Sequence, residues 1–219
     1  MDNNPNDHKV LRSHTNWKDL FFYQKADALY QLTFSFCDRF LPEYGDRTVD
    51  QMVQAARSGK QNIIEGSEDG LTSTEMELNL LNVARASVHE LREDYRDYLV
   101  SRHLNHWRKG NPRYAAMQQF TSQHNRLEDY QPYFTKWNDE EMANIGYALC
   151  CQVDALMNGY LEKLERTFVE EGGIKERMHR ARTGYRQEQD ARLKFLEAEN
   201  AQLKQKIQEL EQIIARLKG

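Results

Sequence analysis

This sequence has few of the residues that mark a disulfide-bonded or membrane-bound protein. Only 3 cysteines occur in 219 residues. Cys150 and Cys151 are adjacent and Cys37 is remote, so the chain offers neither a disulfide framework nor a spaced pair of metal ligands. We expect buried free thiols. The polar residues 1–13 contain no apolar stretch, so we expect no signal peptide, no membrane span and a cytoplasmic location.

The overall charge is not evenly distributed. The formal net charge is -4, but residues 175–194 carry +4, residues 195–219 are balanced, and residues 1–174 carry -8. Nucleic-acid affinity depends mostly on neutralising phosphates. The acidic main part is therefore a poor general nucleic-acid binder unless its few bases cluster on one face, and the basic segment is the better candidate.

The apolar pattern predicts an all-α protein, because apolar residues recur at spacings of three and four and no alternating strand pattern occurs. The first helix should run over about 17–41 and end at Pro42 and Gly45. The second should begin near 46–48 and end near Gly66 and Gly70. The third and fourth should start at the cap-like pairs Thr72 with Glu75 and Asn138 with Glu141.

These elements predict an antiparallel four-helix bundle with a C-terminal parallel coiled coil. The expected domains are a flexible N-terminus over 1–16, a bundle over 17–171, a glycine linker with a basic helix over 172–192, and a leucine zipper over 193–219. The bundle contains an aromatic-rich insertion at about 105–137, which we expect to be packed.

The C-terminal residues have the heptad pattern of a parallel two-stranded coiled coil. Leucines recur every seven residues at one core position, and mostly β-branched residues precede them at the other, which favours two strands. The single polar core residue, Asn200, would set register and a low oligomer state. The predicted oligomerisation residues are Leu193, Leu196, Asn200, Leu203, Ile207, Leu210, Ile214 and Leu217.

The residues that flank this seam are complementary in a parallel homodimer. The expected pairs between partners are Arg192 with Glu197, Glu199 with Lys204, and Lys206 with Glu211. Each exposed pair contributes at most about 1 kcal/mol, so these charges select partner and orientation more than they add strength. An alternative is a single amphipathic helix docked on its own domain.

The basic segment before the zipper has two functional interpretations. It resembles in position a zipper-type DNA-binding helix, because Arg186 lies ten residues before Leu196. However, Met178 stands where an asparagine is expected, Gly184 weakens the helix, and acidic residues follow. The alternative interpretations are a looser contact of this segment with nucleic acid and a helix that faces solvent or a protein partner. The candidate nucleic-acid contacts are Lys175, Arg177, Arg180, Arg182 and Arg186. The insertion offers a second, single-strand platform of alternating rings and bases: Trp107, Arg108, Lys109, Arg113 and Tyr114.

No pattern of catalytic or metal-binding residues occurs. The Glu-x-x-His spacing of di-iron bundles is found only at Glu176 and His179, outside the bundle, and His89 lacks the preceding glutamate. His103 and His106 have no second ligand pair, and no phosphate-binding glycine motif occurs. We therefore expect a non-enzymatic protein with no cofactor and no metal.

The first three helices carry a set of residues that matches a known pattern. These residues are Leu20, Tyr23, Gln24, Lys25, Ala26, Gln51, Ala55, Asn62, Ile63, Ile64, Glu65, Gly66, Glu75, Ala84, Ser87, Glu90 and Leu91, and the most specific piece is Asn-Ile-Ile-Glu-Gly at 62–66. They resemble a bacterial four-helix bundle family, whose corresponding motif is Asn-Ile-Ala-Glu-Gly. That family includes proteins encoded in ribosomal RNA intervening sequences and the accessory variability proteins of diversity-generating retroelements. Residues 17–99 carry the resemblance well, the fourth helix carries it weakly, and the zipper is similar to the suffix of a longer branch.

The resemblance implies a self-associating bundle without established enzymatic activity. In the retroelement branch it also implies an adaptor that binds a reverse transcriptase and nucleic acid through a strongly basic surface, whereas the bundle of this chain is acidic. Small family members resemble closed rings of five, a symmetry that a two-stranded zipper cannot share in every subunit. We expect Asn62 and Glu65 to satisfy backbone groups where the second helix turns toward the third. The alternative is that Asn62, Glu65 and Gly66 form a ligand pocket.

We therefore expect a homodimeric adaptor or scaffold for an unknown protein partner. The second expectation is a nucleic-acid-associated accessory factor that uses residues 175–194. Neither expectation involves a membrane.

Overall fold

The computed structural model describes residues 10–11, 16–41 and 47–218, and in this part of the chain every regular element is a helix. The chain divides into two compact units, Leu11–Gly173 and Met1–Val10 with Ile174–Gly219, which we describe separately. Most of the predicted flexible N-terminus, residues 1–16, lies outside the described residues, as do Pro42 and Gly45.

The first unit contains six α-helices and two short 3-10 helices within the described ranges. The 3-10 helices cover Trp17–Asp19 and Gln131–Tyr133. The predicted first helix thus starts four residues late, because the Asn16 side chain caps a separate 3-10 turn. The α-helices are α1 (Phe21–Phe40), α2 (Arg47–Asp69), α3 (Thr74–Ser101), α4 (Pro112–Gln123), α5 (Leu127–Tyr130) and α6 (Asp139–Glu171).

Helix caps explain two of these starting points. Asn138 and Glu141 form the predicted reciprocal cap of α6, with the Glu141 backbone N–H donating to Asn138 Oδ1 at 2.8 Å and the Asn138 N–H donating to Glu141 Oε2 at 3.0 Å. The cap predicted at Thr72 is wrong. The Thr72 hydroxyl instead donates to the Asp69 carbonyl at the end of α2, and Ser73 caps α3 by accepting the Met76 N–H at 3.2 Å.

Four long helices enclose the main core. Helix α1 packs against α2 and α6, and α3 packs against the same two helices. Their facing sides bury Leu29, Phe36, Leu81, Tyr95 and Leu149, and removing these side chains from water is the main favourable contribution to folding.

The aromatic insertion is packed, as predicted. Trp107, Met117, Tyr130 and Phe134 are buried in the same core cluster as the long helices. Helix α4 packs on α6, and α5 packs on α1. The insertion therefore extends the core and leaves few of its rings available as a surface platform.

The second unit is built on one long helix, α7 (Ile174–Lys218), of 45 residues. Helix α6 ends at Glu171, and Gly172 follows with a φ of 77°, a conformation that glycine adopts without strain. Helix α7 continues through Gly184 without a break, so the predicted basic helix and the zipper are parts of one element. At about 1.5 Å per residue it is about 67 Å long.

Candidate self-association surface

The predicted zipper residues form an exposed apolar seam on α7. The leucines and isoleucines of this seam retain between 42% and 81% of their accessible surface. Burial of apolar surface stabilises by about 25 cal/mol per Å², so covering this seam would be favourable. The seam comprises Leu193, Leu196, Asn200, Leu203, Ile207, Leu210, Ile214 and Leu217.

Asn200 is an exposed polar residue within this apolar seam. Its amide carries both donors and an acceptor, which two facing copies satisfy mutually. In a shifted register the Asn200 amide would face an isoleucine of the other helix and would be buried without hydrogen bonds. In a parallel dimer, Asn200 would therefore favour the one register that brings two copies of it together.

The charged residues beside the seam are exposed as well. Arg192, Glu199 and Lys206 lie on one flank, and Glu197, Lys204 and Glu211 lie on the other. Sequence reasoning passed over two apolar residues nearby. Ile213 is 51% exposed next to the seam, and Phe195 is 68% exposed on the outer face of the helix.

The basic segment does not present all of its candidate residues to solvent. Lys175, Arg180, Arg182 and Arg186 are exposed, but Arg177 is only 8% exposed and donates from Nε to the Val10 carbonyl at 3.0 Å. Arg177 thus contacts Val10 of its own unit, and the phosphate contact at Arg177 stays a prediction.

The Asn-Ile-Ile-Glu-Gly sequence lies within α2 and not at its end. Asn62 Nδ2 donates to the Ser58 carbonyl at 2.9 Å, and the Ser58 hydroxyl contacts the Ser87 hydroxyl of α3 at 2.9 Å. Glu65 is exposed and accepts from Gln61. Asn62 therefore satisfies a backbone carbonyl as expected, but it does so inside α2 and not at a turn, since α2 continues to Asp69, and Glu65 pairs with a side chain instead.

Gly66 has a packing role at the same contact. A Cβ built on Gly66 would lie 3.3 Å from Leu80 Cβ of α3. The missing side chain lets α2 and α3 approach closely. This position is thus explained by helix packing and not by a ligand pocket.

A buried lysine joins α1 to the insertion, and sequence reasoning missed it. Lys25 is 3% exposed, and its Nζ donates to the carbonyls of Thr121 at 2.5 Å and His124 at 2.8 Å. Burial lowers the pKa of Lys25 to about 8, although the nearby Asp129 acts in the opposite direction. The available signal was a lysine in the apolar stripe between Phe22 and Leu29.

A second buried network holds the start of the insertion against α6. The Trp107 backbone N–H donates to Asn144 Oδ1 at 2.7 Å, and its indole N–H donates to Glu140 Oε1 at 2.8 Å. Burial alone would raise the pKa of Glu140, but hydrogen bonds from Asn105 and Trp107 outweigh it and lower the pKa. Each polar group named here forms a hydrogen bond with another protein group. The network therefore has a structural role, which is to hold the start of the insertion against α6.

The thiols and histidines have structural surroundings. Cys37 and Cys150 are free and buried, as predicted, whereas Cys151 is free but only half-buried. His106 lies edge-on to the Tyr147 ring, with centroids 4.4 Å apart. Within the described ranges, no group of three or more histidine, cysteine, aspartate or glutamate side chains is placed to hold a metal ion.

Comparisons of this chain with protein-family models, curated proteins and solved structures find no significant match. Among the helices described above, none is both long and apolar enough to cross a membrane.

Proposed function

We propose that this protein is a non-enzymatic, self-assembling adaptor whose α7 helices form a parallel homodimeric coiled coil. One observation carries the proposal, namely the exposed apolar seam of α7 with Asn200 at a core position and complementary charges on both flanks. A docked single helix would have no need of the paired charges or of the core asparagine.

The first unit is the module that this dimer would present. We propose that α1, α2, α3 and α6 form an antiparallel four-helix bundle, an arrangement supported by the contacts of each helix with two of the others. The resemblance to a bacterial family of self-associating bundles supports the same architecture. Two tethered copies would raise the effective concentration of the module for a paired or repeated protein partner.

A cysteine placed at position 200 tests the parallel dimer. In a parallel coiled coil the two copies of residue 200 face each other, so Asn200→Cys should form an interchain disulfide under mild oxidation. The control is Gln205→Cys, because position 205 lies on the outer face of the same helix. Equal crosslinking of both variants, or none above the wild-type background, would contradict the proposal.

A second candidate function is that of a nucleic-acid-associated factor. It is supported by the continuous helix through Gly184, which exposes Arg180, Arg182 and Arg186 on one segment. Phosphate contacts give binding a steep salt dependence. Substitution of these three arginines by glutamine should remove that dependence if the segment binds nucleic acid, and should leave it unchanged if the contacts lie elsewhere.

A further inference from the structure

The side of α7 that carries the apolar seam becomes basic toward the N-terminus of the helix. Helix α7 is continuous over Ile174–Lys218, so the heptad that places Leu193 and Leu196 in the seam extends backward with the same spacing. Gln189 is the first core position before Leu193. The four core positions before Gln189 all carry exposed basic residues, which we call the basic seam: Arg186, Arg182, His179 and Lys175.

The contact between α7 and Val10 leaves the basic seam uncovered. Arg177 and Ala181 are buried, and the Arg177 guanidinium donates to the Val10 carbonyl at 3.0 Å. These two residues occupy outer positions of the heptad, on the side of the helix opposite Arg182 and Arg186. Both of these arginines are exposed, so the basic seam of one copy can face that of a second copy.

The proposed parallel dimer would bring these charges together, because each core residue lies next to its own copy in the partner helix. Two copies each of Arg182 and Arg186 would place four guanidinium groups just before the zipper. Residues four apart are separated by about 6 Å along a helix, and packed helix axes are about 8–10 Å apart. The Debye length at physiological salt is about 8 Å, so the repulsion is only partly screened. The apolar seam would therefore hold together two basic seams that repel each other.

We propose that the basic seams of two copies bind one linear oligophosphate anion between Arg182 and Arg186 of both helices. The inference rests on the proposed parallel dimer, because a single helix supplies only half of this site. A guanidinium group binds phosphate oxygens through two parallel N–H···O bonds, and a chain of phosphates offers oxygens to several guanidinium groups at once. The anion replaces repulsion with attraction and binds only the dimer completely, so it should strengthen dimerisation.

The acids of this segment lie outside the basic seam. Glu188 is on the outer face of the helix, and Glu176 and Asp190 are at flanking positions of the heptad. Asp190 is four residues from Arg186, a spacing at which it can offset one charge per helix. Arg182 has no acid three or four residues away in either direction. The charge of Arg182 is therefore the one that an anion would balance most.

The width of the site favours a compact anion over a nucleic-acid duplex. An oligophosphate fits between helices whose axes are about 8–10 Å apart. A DNA duplex, whose major groove alone is about 12 Å wide, does not. The proposed ligand is therefore a chain of phosphates, either free or carried by a nucleotide.

The dimer dissociation constant of the full chain tests the proposal, measured by sedimentation equilibrium with and without about 1 mM tripolyphosphate. Sodium chloride keeps the ionic strength at about 0.15 M, so that a change reports binding and not screening. Tripolyphosphate should tighten the dimer at least about tenfold, or about 1.4 kcal/mol.

Two double variants with the same loss of charge separate the basic seam from charge in general. Arg182→Gln/Arg186→Gln should dimerise at least about threefold more tightly without the anion, because the repulsion is gone, and should respond to tripolyphosphate less than about twofold. Lys194→Gln/Arg216→Gln, at exposed outer positions of α7, should keep the tenfold response. A weaker dimer in the arginine variant would contradict the repulsion.

Three further results would overturn the proposal: a dimer that does not respond to tripolyphosphate, an equal response of both double variants, or a larger response to octathymidylate at the same phosphate concentration. Calorimetry should give one tripolyphosphate per two chains, and one per chain would place the site within a single copy. ATP identifies the source of the ligand. A stronger effect than that of tripolyphosphate would indicate a nucleotide, and an equal or weaker effect would indicate a free oligophosphate.

The mass measured in the same experiment separates the two proposals. A dimer without a response to the anion would refute the oligophosphate site and leave the adaptor's assembly intact. A monomer at every anion concentration would refute the assembly and the site with it. A monomer that dimerises only with tripolyphosphate would support both.

Discussion

Lys25 is the residue on which the attachment of the insertion most depends. Its ammonium group reaches two carbonyls at the end of α4, where backbone acceptors have no partner within the helix and a positive charge is favourable. The contacts join residues almost a hundred positions apart in sequence. Local pattern predicts the helix that carries Lys25, but the partners of the side chain follow only from the tertiary fold.

Replacement of Lys25 by methionine should destabilise the protein, because the Thr121 and His124 carbonyls lose the Lys25 ammonium as a donor and keep only the Tyr130 hydroxyl. We expect a loss of about 1–3 kcal/mol in the free energy of unfolding, measured by urea denaturation at pH 7. Lys25→Arg is the control that keeps a donor, and it should lose less. An unchanged stability of Lys25→Met would contradict the anchoring role.

The stability difference between the wild type and Lys25→Met should increase with pH. The pKa of Lys25 is about 8 in the folded protein and about 10.4 in the unfolded chain. Between these values the unfolded state binds the extra proton, so stability rises with pH. From pH 8 to 9.5 the difference should grow by up to about 2 kcal/mol. A constant difference over this range would show that burial does not shift the titration.

Alanine substitutions at two glycines of α6 should have opposite effects on the free energy of unfolding. A Cβ at Gly146 would overlap the buried ring of Tyr95, whereas a Cβ at Gly159 would meet nothing within 4 Å. Gly146→Ala should therefore cost about 1–3 kcal/mol through overpacking. Gly159→Ala should stabilise by about 0.5–1 kcal/mol, since alanine is the better helix former. Thermal unfolding of both variants checks the pair, and equal effects would contradict this packing.

At the scale of elements, the sequence predicted the long helices better than the short ones. The apolar spacing and the Asn138–Glu141 cap located α6 correctly, but Thr72 and Ser73 are both plausible caps, and only the bond from Thr72 to Asp69 decides between them. Helix α4 has little apolar periodicity. Its one local signal is Asn111 followed by Pro112, a cap and a first-turn proline.

The seam of α7 predicts a specific role for Asn200. In Asn200→Ile the coiled coil should gain at least about 1.4 kcal/mol per dimer, because a buried polar pair becomes an apolar one. The same change should allow other registers and larger oligomers. Gln212→Ile, on the outer face, is the control and should alter neither. Sedimentation equilibrium measures both properties, and a weaker dimer in Asn200→Ile would contradict the assignment of the core.

If the flanking charges pair between the two helices, reversing one charge should weaken the dimer and reversing both members of the pair should restore it. Glu211→Lys would place two lysines opposite each other at both Lys206–Glu211 contacts and should weaken the dimer by about 0.5–2 kcal/mol. The double variant Lys206→Glu/Glu211→Lys restores opposite charges and should restore affinity. The loss should shrink at high salt. A loss that persists in the double variant would exclude these pairs.

At the scale of the whole molecule, the central claim is that assembly resides in α7. The first unit contains its own buried core and the two polar anchors at Lys25 and Asn144, whereas α7 leaves its apolar seam exposed. The proposed dimer would bury this seam. A two-stranded assembly would also differ from the closed rings of five that the resemblance implies for small family members.

The most direct test is the mass in solution, measured by light scattering after size exclusion. The chain has a mass of 25.9 kDa, and the full protein should have twice that mass. A truncation after Glu171 should be a monomer, because it lacks α7. The full-length variant Leu203→Glu/Leu210→Glu should also be a monomer, because association would bury the new carboxylates in the apolar seam. A full-length monomer would contradict the account, and so would a truncated chain that remains oligomeric.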